Sequence, residues 1–304
     1  LLQEDEMVHR WVRVAAAAAA AAVWCGCGAS REGGPPRLTG SYQLADSAEK
    51  LAVGASGRVY YTTSPRGGMG MMAPGSSNEL RVAEANSRPG YPLKLAPSAD
   101  IKAVVADGLG ALFLGVREGG KDQVWVFDET WGGDQVEPKA KLSPPLPGDL
   151  NNLVLNRQAG TLFALCGDKF VVELKADGTV ARTVELPGTS RPEDAGMDRQ
   201  GNLYVRRSSG PVVKVKPDGS VDTEWAKSAA AALDYVRSMA VDGQDGIYIG
   251  ASEGDVYLRL FDPSGTLVCN VVAEQLKYAP DRLVAARSGA VYALDGRSVL
   301  EFRR

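Results

Sequence analysis

Any chemistry this chain performs must be done almost without histidine. Its 304 residues contain one, His9, within a stretch that reads as a removable leader. The remainder has no imidazole for a Ser-His-acid or Cys-His nucleophile, for a zinc or copper centre, or for c-type haem attachment. Oxygen and sulfur donors are left. Glu49, Asn152, Asp194 and Asp281 each stand four or five residues before a turn position equivalent to Asp198. Brought together, they would offer oxygen ligands to a hard divalent cation such as calcium or manganese, with a metal-polarised carbonyl or bound water as the reactive centre. Lys50, Lys102, Arg237 and Arg282 hold similar positions, so the same set also reads as a solvated rim whose charges balance. A second group is Met69, Met71 and Met72 in "PRGGMGMMAPGSS". These thioethers would serve as Cu(I) ligands, as an adaptable apolar contact for a partner or ligand, or as packed filler.

Residues so far apart in sequence meet only if regular elements bring them together. Six copies of one hairpin do so: "ASGRVYY", "GLGALFL", "QAGTLFA", "RQGNLYV", "QDGIYIG" and "RSGAVYA". Each centres on a turn glycine (Gly57, Gly110, Gly160, Gly201, Gly246, Gly289) followed by an aromatic residue (Tyr60, Phe113, Phe163, Tyr204, Tyr248, Tyr292). Downstream of each lies a second alternating stretch. In four copies it ends in a further turn, as in "VVELKADGTV" and "VVKVKPDGSV". Apolar residues alternate with period two until Asp-Gly or Pro-Asp-Gly reverses the backbone. Each unit therefore reads as four short strands, and successive units lie 41 to 53 residues apart. Such spacing predicts an all-β fold, a six-bladed β-propeller of four-stranded antiparallel blades. The last unit stops after its third strand, and "LTGSYQLA", beginning at Leu38, is the spare strand that would complete blade six and close the ring.

The pattern D-x-x-G-x-L-Y-V followed by V-x-K-x-x-P-D-G, within Met197 to Val221, resembles the NHL-repeat and gluconolactonase-like six-bladed propellers. A looser form runs from Leu51 to Arg304. The resemblance implies lactone hydrolysis assisted by a divalent cation, with Glu49, Asn152, Asp194 and Asp281 where that family uses Glu, Asn and Asp ligands. The family's E-G-P-x-W stretch is absent. Read from the residues themselves, the chain is a non-catalytic binding or scaffold module, taking a protein, a peptide or a small polar ligand at the channel mouth. The long loop carrying Met69, Met71 and Met72 would form a lip over that mouth, together with "REGGKDQ" (Arg117 to Gln123).

Ahead of the repeats the composition changes. His9, Arg10 and Arg13 precede an apolar run, Val14 to Trp24, built on eight alanines. About eleven residues is too short to span a bilayer, and small residues follow it, so residues 1–27 read as an export signal. Cys27 is either lipid-modified or lost by ordinary cleavage after Ala29. Residues 28–37 form a Gly/Pro-rich tether, leaving 38–304 as the propeller. The expected location is the cell envelope. A net charge of −3 gives no basic surplus for phosphate backbones, which argues against a nucleic-acid partner. Cys166 and Cys269 fall on different blades, so both are expected to be unpaired.

Overall fold

The computed structural model describes residues 35–304 apart from 45–46, 56, 64–78, 84–90, 96–98, 130–134, 158, 234 and 254–255. The export signal, Cys27 and the Met69, Met71 and Met72 loop lie outside the described residues. Six sheets, antiparallel but for one added strand in the first, follow one another along the chain. Their innermost strands are Ala48–Val53, Asp100–Ala106, Leu150–Asn156, Pro192–Met197, Val236–Val241 and Arg282–Ala285, for blades one to six. Each is followed by the hairpin partner that carries the repeated aromatic. All six aromatics are buried, Phe163 the least so at 5% exposure. At about 1.5–3 kcal/mol for each fully buried large side chain, these rings fix how far each blade sits from its neighbour.

Six apolar layers hold the blades together, one at each junction. Tyr60 and Leu80 of blade one pack with Ile101 and Leu112 of blade two, and the series continues around the circle. It ends where Val53 and Tyr61 of blade one meet Tyr292 and Val299 of blade six. The closing strand is Arg37–Gln43. It pairs antiparallel with Ser298–Arg303, placing Leu38 opposite Phe302 and Tyr42 opposite Val299, so the first strand among the described residues completes the last blade.

Two blades depart from the four-strand expectation. Blade four has three strands, ending with Val213–Val215. After the Pro217-Asp218-Gly219 turn only Val221 bridges back, to Val215. Asp222 then accepts the amides of Glu224 and Trp225 (3.2 and 3.1 Å) and turns the chain into the 3-10 segment Trp225–Lys227. Trp225 is buried with its ring edge-on to Tyr204, centroids 5.3 Å apart, and covers the edge a fourth strand would have covered. Blade one gains a fifth strand. Gln135–Val136, on the way to blade two's outer strand Ala140–Leu142, pairs parallel with Tyr91–Leu95 of blade one.

Blade five's turn is offset by one residue. There the left-handed position is Asp245 (φ 65°), not Gly246, which restores the three-residue spacing from the turn to its aromatic, Tyr248. Cys166 is buried and Cys269 half-buried, and both are free thiols.

Candidate functional site

The innermost strands begin at what we call the upper mouth of the central channel. In blades one to five the ladder is interrupted there by a one-residue register shift, which passes over Glu49, Lys102, Asn151, Glu193 and Arg237. Such bulges turn one side chain away from the sheet and re-aim the next. The residues that follow them are Lys50, Ala103, Asn152, Asp194 and Ser238, and blade six places Arg282 at the same level.

Several of these side chains reach the next blade around the ring. Asn152 Nδ2 donates to the Glu193 carbonyl (3.0 Å), Ser238 Oγ to the Pro280 carbonyl (2.7 Å) and Arg282 Nε to the Glu49 carbonyl (2.9 Å). Asp194 Oδ1 accepts the amide of its own neighbour Ala195 (3.0 Å). The Asn152, Ser238 and Arg282 bonds are latches between blades, each satisfying a backbone carbonyl of the next blade.

The latches leave two groups uncommitted. Asp194 Oδ2 is buried and lacks a hydrogen-bond partner; burial pushes its carboxyl up, against the pull of Arg282 and Arg206. The Lys50 amine makes no hydrogen bond or ion pair within the described residues. Burial and then Arg282 lower its pKa to about 8, while Asp194, Glu49 and Glu193 act in the opposite sense. Burial alone would raise Glu193, but Arg191 (2.7 Å) and Arg206 (2.9 Å) outweigh it and hold the carboxyl below its usual range.

Below the mouth lies a cavity of about 390 Å³, lined by all six innermost strands. Of the four sequence-predicted metal ligands, Asn152 and Asp194 line it and Glu49 and Asp281 do not. Asp281 is paired with Arg237 and accepts the Gly296 amide. Lys50 and Arg282 share the wall with Asn152 and Asp194. Among the described residues no group of three or more His, Cys, Asp or Glu side chains is arranged to hold a metal ion.

The strands end in the repeated hairpins at the channel floor. Blades two, four and five place Asp107, Asp198 and Asp242 at the first hairpin position. Each accepts the amides two and four residues on: from Leu109 and Ala111, from Gln200 and Asn202, and from Gln244 and Gly246, all at 2.6–3.0 Å. In blade one this position is Gly54, and Glu129 supplies the carboxylate from blade two by accepting the Ala55 amide (3.1 Å). A side chain on Gly54 would collide with it. Arg157 of blade three crosses the floor and donates to the carbonyl of Ala285 in blade six. Sequence reasoning missed Glu129 and Arg157, because nothing in either local stretch points to a partner 74 or 128 residues away.

No protein-family model and no curated protein sequence matches the chain. Solved structures do. Virginiamycin B lyase from Staphylococcus aureus superposes with a TM-score of 0.57 at 11% identity, over 88% of this chain and 99% of that one. A catalytically inactive histidine-to-alanine form of that lyase, solved with quinupristin, gives 0.57 at 12% over 85% and 82%. A protein of unknown function from Bacteroides thetaiotaomicron gives 0.60 at 16% over 87% and 72%. At these identities the likeness is one of architecture, and the chain is a six-bladed β-propeller of that shape.

Proposed function

We propose that this chain is an exported, non-catalytic binding module that takes a small polar ligand into its central channel through the upper mouth. The supporting observation is the pair of uncommitted groups on the channel wall: the buried, partnerless Asp194 Oδ2 and the Lys50 amine, which has no partner among the described residues. A cavity of about 390 Å³ falls within the ~300–1,000 Å³ of ordinary ligand pockets, where a few convergent polar groups fix orientation. An acidic sugar or hydroxy acid suits the wall: its carboxylate would meet Lys50 and Arg282, and its hydroxyls Asn152 and Asp194. The S. aureus lyase is inactive in a form lacking one histidine, and residues 35–304 here contain none, which favours binding over chemistry of that kind. Export rests on the leader sequence, and anchoring on lipidation of Cys27. The Met69, Met71 and Met72 loop would add a contact for ligand or partner.

The test is calorimetric titration with gluconate and related hydroxy acids, comparing wild type with Lys50→Met and Asp194→Asn. Saturable binding weakened about tenfold or more in either variant, a loss of ~1.4 kcal/mol, supports the proposal. Affinity insensitive to both variants, or no binding across the panel, overturns it. In parallel, calcium or manganese binding abolished by Asp194→Ala, together with lactone turnover, would replace it with the hydrolase reading.

A further inference from the structure

The channel floor is charged differently from the mouth. Around the ring of hairpins, blades one, two, four and five each have a carboxylate at the first position, from Glu129, Asp107, Asp198 and Asp242, and each is engaged by backbone amides. The opposed blades three and six have Asn156 and Ala286 there. The next residue in each is an arginine, Arg157 and Arg287, and both line the channel. Arg199, at the corresponding place in blade four, is neutralised by Asp245 at 2.8 Å. Among the described residues no carboxylate lies within ion-pairing distance of Arg157 or Arg287.

Arg157 is also short of acceptors. One of its five N–H bonds goes to the Ala285 carbonyl, and its Nε is buried with no partner. A water molecule could satisfy that N–H, but it would leave the charges of two neighbouring guanidinium groups unbalanced. Burial above all, and then Arg287, disfavour the Arg157 cation, and Asp107 only partly offsets them. A planar guanidinium with free N–H bonds facing a cavity is suited to an oxyanion.

We propose that Arg157 and Arg287 form an anion-binding site on the floor of the central channel, which takes a phosphate or carboxylate group at the leading end of a ligand. The inference rests on the channel being a ligand site, and it adds that the ligand is anionic at the end that enters first. The two parts fail separately, because the floor is probed by a bare anion and by variants remote from Lys50 and Asp194.

The experiment is calorimetric titration of the 304-residue chain at low ionic strength, where screening is weak, with inorganic phosphate in one arm and acetate in the other. Saturable binding of at least one anion is expected, weakened about tenfold or more in Arg157→Gln and partly restored in Arg157→Lys. It should be weakened several-fold in Arg287→Gln and unchanged in Lys227→Met, an exposed lysine off the channel that is paired with Glu224. Tighter phosphate assigns a phosphate head group, and equal or tighter acetate a carboxylate. The proposal is overturned if neither anion saturates below about 20 mM, a binding free energy of only ~2 kcal/mol. It is equally overturned if Lys227→Met loses as much affinity as Arg157→Gln, which would mark the binding as non-specific. Should Arg157→Gln fail to fold, Arg287→Gln decides alone, because Arg287 is exposed and its loss leaves the fold intact.

Discussion

In the folded chain Lys50 gives up its proton near pH 8, against 10.5 for a solvated amine, because burial and Arg282 both disfavour the ammonium. Between those two values the unfolded chain binds more protons at this residue than the folded one, so stability rises with pH across the window. The gain is complete above pH 10.5 and is lost as pH falls through 8. Its upper bound is ~3 kcal/mol. Lys50→Met should therefore be more stable than wild type at pH 7, and the two should converge by pH 10.5 when unfolded with urea at a series of pH values. A constant difference across that range would mean that the amine is solvated. Counting back from the turns located Lys50, Asn152 and Asp194 in the sequence. It could not show that Asn152 is already engaged by the next blade, because that depends on a bulge which leaves no mark in residue type.

At the scale of elements, the repeated turn-plus-aromatic unit was legible because two constraints coincide in it: a left-handed turn position and a ring buried between blades. Where one constraint is met differently, the reading slips. Blade five meets the turn with Asp245, and the glycine beside it, Gly246, sits against Arg304 and Asp242, so the glycine alone mislocates the register by one. Blade four reads as four strands because "VVKVKPDGSV" promises a return strand. Asp222, by accepting two amides, ends that return at Val221. Trp225 then takes over the burial of Tyr204 and packs with Val212 and Ile249. Trp225→Ala should cost about 3–5 kcal/mol, as for other large-to-small changes in a core, measured as a fall in the urea midpoint with unchanged slope. A loss below ~1 kcal/mol would show that the segment merely covers the edge and does not pack the blade.

For the whole molecule, closure decides whether six blades behave as one unit. Each blade buries its two faces only because it has neighbours on both sides, and an open ring would expose one apolar layer. The layer at risk is that between blades six and one, where Val53, Tyr61, Tyr292, Leu294 and Val299 pack. Arg37–Gln43 protects it by pairing with Ser298–Arg303. Tyr42 packs against the layer, its ring tilted towards Tyr292 at 6.2 Å. Arg282 and the Glu49 carbonyl join the same two blades at the upper mouth. A chain lacking residues 1–43 keeps the Arg282 latch but loses the strand. With about 2–4 °C lost per kcal/mol in a domain approaching this size, and several buried contacts removed, its melting temperature should fall by roughly 10 °C or more. Trypsin should then cut first near the exposed Ser298–Arg303 edge, before the other blades. Unchanged melting and an unchanged cleavage order would show that the apolar layer and the Arg282 latch hold the ring without the strand, and that closure is a property of side-chain packing alone.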